Sequence, residues 1–154
     1  MLFVTHLAAA ALLGRFTRLP AVWVVVGAAL PDVVDKPLAW LGLVEPFHSI
    51  AHTALLLPVA CLIALSSRRG AAVALGWGSH LALDALHIVL NGRPDDALFL
   101  GWPVVSPTDP LGIPPGEFFI YYLWTPSFFL EAAFWTALIV WVIYSHRTGV
   151  RTNS

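Results

Sequence analysis

The chain has 154 residues, a formal net charge of −1, and 58% hydrophobic against 11% charged residues. That length suits one domain, 1–154, and the charge balance offers no basic cluster of the kind a nucleic-acid partner requires. So few charges cannot cover a soluble protein of this size, so most of the surface is expected to face lipid.

Five hydrophobic segments follow in order, and the expected fold is all-α, a polytopic membrane bundle of about five helices. The first runs from about Leu2 to Leu13 and carries His6. It has no basic n-region and is read as a retained helix rather than a secretory signal. The second, about Leu19 to Leu30, begins with Pro20 in a first-turn position and is expected to stop at Pro31-Asp32. The third is about Ser49 to Leu65, with His48 and His52 as an i, i+4 pair at its start. The fourth, about Ala71 to Leu90, is closed by Asn91-Gly92. The fifth, about Phe118 to Tyr144, is interrupted by Pro126.

A span needs about 20 residues, so the first two segments are short for the task, and four or six spans are the alternatives to five. Residues 93–117 are rich in Pro and Gly and read as a surface loop, and 146–154 as a basic tail. Arg15, Arg18, Arg68, Arg69, Arg147 and Arg151 fall on one side of a five-span arrangement, which the positive-inside rule makes cytoplasmic. The N-terminus then lies outside. Asp32, Asp35, Glu45, Asp95, Asp96, Asp109 and Glu117 share that outer side, and five of the six histidines converge on the same leaflet. His146 belongs to the basic tail and has no assigned role.

The chemistry concentrates in the fourth segment. His80, Asp84 and His87 are spaced by four and three, which puts them on one stripe of a helix. Ionisable groups at membrane depth are functional candidates by default. His48 with His52 could present two imidazoles to one metal, and Asp32 and Asp35 add short carboxylates. Cys61 is the only cysteine, so a thiolate knuckle is excluded. Imidazole plus carboxylate suits Zn²⁺ first, with Mn²⁺ or Fe²⁺ as alternatives, in one or two ions. Each pair also has a structural reading: Asp32 as a helix cap, Asp35-Lys36 as an ion pair, His80-Asp84 as a helix–helix hydrogen bond.

The strings GAALPDVVDK (Gly27–Lys36), HSIAHT (His48–Thr53), GWGSHLALDALH (Gly76–His87) and the opening THLAAAALLG resemble, in that order, the membrane-bound metal-dependent hydrolases of the YdjM-like type. That family is distantly similar to the zinc-dependent phospholipase C and nuclease group. The resemblance implies metal positions at His6, Asp32, Asp35, His52, His80 and Asp84. Many members space the two histidines of the third motif one residue further apart, a departure that bears on His48.

The leading expectation is therefore a metal-dependent hydrolase acting on a phosphoester, from a lipid or another small molecule, at the extracytoplasmic face of the cell membrane. The expected metal ligands are His6, Asp32, His48, His52, His80 and Asp84. Asp35 is expected as general base, His87 as a substrate-side group, and Arg93 as a contact for an anionic head group. The alternatives are a divalent-metal transporter or metal-binding membrane module, and a metal-free lipid phosphatase with a histidine nucleophile.

Overall fold

A computed structural model describes residues 2–45, 47–105 and 115–148. Asp109 and Arg151, both used above to orient the chain, lie outside the described residues. The chain divides into two compact units, Met1–Gly112 and Ile113–Ser154. Every described element is helical: α1 (Phe3–Thr17), α2 (Ala21–Trp40), a 3₁₀ turn (Ala54–Leu56) running into α3 (Leu57–Ser66), α4 (Arg68–Leu90), a second 3₁₀ segment (Pro94–Gly101), α5 (Pro115–Tyr122) and α6 (Pro126–Thr148).

In the first unit α2 packs along both α1 and α4. Small residues make that packing close. A Cβ on Gly76 would fall 1.9 Å from the Val24 carbonyl oxygen, and one on Gly27 would fall 2.1 Å from the Val73 carbonyl oxygen. Each helix thus gives up a side chain where the other's backbone passes. Ala10, Val24, Ala28 and Ala72 form the core of this contact, flanked by Leu19 and Val25. At one end of the unit, Arg68 Nη2 donates to the Arg18 carbonyl at 2.7 Å, joining the α1–α2 turn to the start of α4. Ser67 caps α4 there by accepting from Gly70 N. The clustered histidines and aspartates gather towards the other end.

Two helix boundaries differ from expectation. Pro31 was expected to stop the second helix, but α2 continues through Pro31 and Pro37 to Trp40. Proline removes one backbone donor and crowds the carbonyl four residues back, a local penalty that tertiary packing can outweigh. The continuation carries Asp32, Asp35 and Lys36 on a helix rather than in a turn. The third segment moves the opposite way. Helix begins only at Ala54, and His48 and His52 sit in irregular backbone. The expected i, i+4 pair at a helix start is replaced by two histidines brought together by a loop.

In the second unit, α6 opens at Pro126. Thr125 Oγ1 donates to the Tyr122 carbonyl at 2.8 Å, and Tyr122 OH donates to the Ser127 carbonyl at 3.3 Å. α4 and α6 are each long and apolar enough to cross a membrane. At 1.5 Å per residue their 23 residues reach about 34 Å, against a hydrocarbon core of about 30 Å. α1 and the Ala54–Ser66 stretch are apolar but shorter. Leu57, Val59, Leu62 and Leu65 of the latter are exposed, as are Ile139, Val140 and Ile143 of α6. Apolar faces of this kind are what lipid contact would cover.

Candidate metal centre

Three elements and one loop supply the cluster. α4 presents His80 and Asp84 one turn apart, both buried, as the spacing in the sequence requires. α1 contributes His6 from its first turn, and α2 contributes Asp32 and Asp35 from the part beyond Pro31. The loop that follows α2 contributes His48 and His52.

The loop is held by Asp35. Its carboxylate accepts from Ser49 N at 2.8 Å, Ala51 N at 3.0 Å and His52 N at 3.2 Å, and from His52 Nδ1 at 2.7 Å. Backbone donors that would otherwise be buried and unpaired are thereby satisfied by one buried anion. Trp77 of α4 adds a bond from Nε1 to the Ala51 carbonyl at 2.8 Å. Thr53 Oγ1 donates to the carbonyls of Leu100 and Trp102, tying the loop to the 3₁₀ segment 94–101.

Three buried histidines use their rings in the same way. The δ nitrogen faces a fixed acceptor: Leu2 O for His6 at 3.2 Å, Asp35 Oδ2 for His52 at 2.7 Å, and Ala28 O for His80 at 2.7 Å. In the neutral tautomer that keeps the proton on Nδ1 for these acceptors, each ring leaves Nε2 with a lone pair. All three Nε2 atoms point inward. His6 Nε2 lies 3.0 Å from Asp84 Oδ1 and His80 Nε2 lies 3.1 Å from Asp84 Oδ2. His52 Nε2 lies 3.2 Å from His80 Nε2, 3.6 Å from Asp32 Oδ1 and 3.7 Å from Asp84 Oδ2. The rings of His6 and His80 stack with centroids 4.0 Å apart. In that tautomer the inner surface of the cluster is all acceptors, an arrangement that a bound cation would satisfy, as would protons on Nε2.

The residues fit a divalent ion. His6–His80–Asp84, Asp32–His52–His80 and His48–His52–Asp84 are three overlapping groups, each of which could hold a metal. Donor atoms about 2.0–2.1 Å from a tetrahedral zinc stand about 3.3 Å from one another. The separations of His52 Nε2 and His80 Nε2 from each other and from the Asp32 and Asp84 oxygens, 3.1–3.9 Å, bracket that value. A carboxylate on the far nitrogen of a ligating histidine is the usual way to fix ring and tautomer, and Asp35 has that relation to His52.

Two features set the charge state and the open side. Burial works against protonation of His52, but contacts with Asp32 and Asp35 and the charge of Asp84 outweigh it and raise its pKa above the ordinary 6.5. His48 lies at the rim, its side chain 39% exposed and its Nε2 3.7 Å from Asp84 Oδ2. Its ring meets His52 edge-on at 4.6 Å, and buried Phe99 lies 5.0 Å from it.

The expected site residues fall into distinct positions. His6, Asp32, His48, His52, His80 and Asp84 come together within these groups. Asp35 lies behind His52 with its oxygens occupied by N–H donors, a placement suited to orienting that ring rather than taking a proton from water. His87 is buried one turn beyond Asp84, outside all three groups, with Nε2 3.3 Å from Asn91 Nδ2. Arg93 pairs with Asp96 at 3.3 Å.

Sequence reasoning missed Phe99, Trp77 and Thr53, which close and tie the loop over the histidines. The one available signal was the apolar stretch ALFLGW (Ala97–Trp102) inside a segment read as a surface loop.

Fold and site together define an all-α protein with a buried His/Asp cluster able to hold a metal. No protein-family model, curated protein or solved structure matches the chain.

Proposed function

We propose that this protein is a membrane-bound metal-dependent hydrolase of phosphoesters, of the YdjM-like type its sequence motifs resemble. In this reading its helices lie in the membrane with the cluster in the extracytoplasmic leaflet and the C-terminus in the cytoplasm. The observation that carries the proposal is the inward convergence of three histidine Nε2 atoms and two carboxylates in one buried cluster.

His52, His80, Asp32 and Asp84 are the residues that would hold a divalent ion, zinc first by donor type. A bound ion supplies Lewis acidity, which makes water a nucleophile near neutral pH and polarises a phosphoryl oxygen. Asp35 keeps His52 in the tautomer that presents Nε2. Ala28 O does the same for His80, and Leu2 O for His6, whose ring also braces Asp84. Phe99 and the 94–101 segment shield the inner histidines from water, which strengthens the electrostatics of the cluster. His48, on the half-exposed side, is in position to exchange a proton at Nε2 with water or a leaving group.

The test is hydrolysis of bis(p-nitrophenyl) phosphate and of phospholipid by the purified protein in detergent. Turnover that is lost with chelator, restored by Zn²⁺ or Mn²⁺, and absent in His80→Ala and Asp84→Ala supports the proposal. Metal uptake into proteoliposomes without hydrolysis would replace it with transport. Hydrolysis that survives chelation would remove the metal from the chemistry.

A further inference from the structure

Among the described residues, two side-chain cations, Arg93 and Lys36, stand on the same side of the first unit as the cluster, and their surroundings differ. Arg93 Nη1 is 3.3 Å from Asp96 Oδ2, and both side chains are 20% exposed, so its charge is matched within its own turn. Lys36 Nζ is 2.9 Å from Asp32 Oδ2, and its side chain is 45% exposed whereas that of Asp32 is only 8% exposed. The other oxygen of the same carboxylate faces His52 Nε2 at 3.6 Å and His80 Nε2 at 3.9 Å. Asp32 therefore links a half-exposed ammonium to the middle of the cluster. An ammonium has three donors and Asp32 occupies one, which leaves two for a ligand.

Charge points the same way. Asp32, Asp35 and Asp84 contribute three negative charges and Lys36 one positive, a sum of −2 with neutral histidines. One divalent ion brings the loaded site to zero, so an anion is no longer repelled. Among the described side chains there, the half-exposed positive charge is then the end of Lys36. A plain i, i+4 ion pair accounts for the contact with Asp32. It does not require the pair to be built on a carboxylate of the cluster.

We propose that Lys36 is the anion-recognition residue of this site, binding through Nζ a non-bridging oxygen of a substrate phosphate while the ester is attacked. The inference rests on the phosphoester reading above. Lysine suits the role as a point charge that tolerates several phosphate orientations. The shared chemistry is the phosphate group, whether of a lipid headgroup or of a soluble ester.

The experiment titrates inorganic phosphate into the full-length, zinc-loaded protein by calorimetry, with bound zinc measured in every sample. Lys36→Gln is expected to keep its zinc and lose at least tenfold in phosphate affinity, and Lys36→Arg to recover most of it. Wild-type phosphate affinity in Lys36→Gln overturns the inference and leaves the hydrolase reading intact. Loss of zinc together with phosphate also overturns it, making Lys36 a structural partner of Asp32. Equal phosphate binding by metal-free protein assigns the signal to the surface and overturns it too. If the zinc-loaded wild type binds no phosphate, the phosphoester reading itself falls. Parallel titrations with glycerol phosphate and with phosphatidic acid in nanodiscs identify the source: Lys36-dependent binding in either supports the inference, and none in both overturns it.

Discussion

Asp35→Asn separates two roles for a carboxylate that lies beside the cluster but does not face it. The native oxygens accept from the backbone N–H groups of Ser49, Ala51 and His52 and from His52 Nδ1. An amide keeps one acceptor oxygen and turns an NH₂ towards a backbone donor. Hydrogen bonds to a charged acceptor are worth about 1.5–3 kcal/mol and neutral ones about 0.5–1.5 kcal/mol. Weakening three such bonds by about 1 kcal/mol each, with Asp35 fully buried, lowers stability by about 3 kcal/mol. The same change frees the His52 ring, and loss of a partner behind a metal ligand typically lowers metal affinity 10–100-fold. The assay is zinc competition against a chromophoric chelator, with helix content checked by circular dichroism. A variant with wild-type zinc affinity and normal stability, impaired only in turnover, would refute the positioning role and return Asp35 to proton transfer.

Gly76→Ala should disrupt the α2–α4 contact, because its Cβ would meet the Val24 carbonyl oxygen at 1.9 Å. The helices must separate, so we expect destabilisation of at least about 1–3 kcal/mol and weaker zinc binding, whereas Gly78→Ala, where a Cβ meets nothing within 4 Å, should be near neutral in melting and zinc assays. Zinc binding should also release protons. The pKa of His52 is raised above 6.5, so below that raised value its Nε2 carries a proton that the metal must displace. Apparent zinc affinity should fall as pH drops through the raised pKa. The metal-free protein should show the opposite linkage: the stabilisation from His52 is expected to be fully present below 6.5 and lost as pH rises through the raised folded value. Calorimetry in buffers of different ionisation enthalpy counts the released protons, and melts between pH 6 and 9 check the linkage.

The parts of this architecture that were legible in the sequence depend on local periodicity. The α4 stripe is one: spacing alone puts His80 and Asp84 on one face, and the helix delivers both to the cluster. The all-α class was legible because the apolar runs are long and lack strand-like alternation, whereas among the described residues only α4 and α6 of the five expected spans are long and apolar enough to cross a membrane. What could not be read depends on partners distant in the chain. Nothing local says that α2 will pass Pro31 and carry Asp32 and Asp35 as helical residues. Nothing local says that His48 and His52 will leave the helix, because the anion that gathers their backbone is Asp35, 14 to 17 residues earlier. Phe99 was hidden for the same reason. It sits in a stretch whose Pro and Gly content signals a loop, and its burial against the histidines is a tertiary fact.

The central claim, that the cluster holds a metal, is tested most directly by elemental analysis of the purified protein. After equilibration with Zn²⁺ and removal of excess, the wild type should retain at least one ion per chain and the His80→Ala/Asp84→Ala double variant none. Wild-type protein that is folded by circular dichroism yet retains no zinc, manganese or iron would contradict the account.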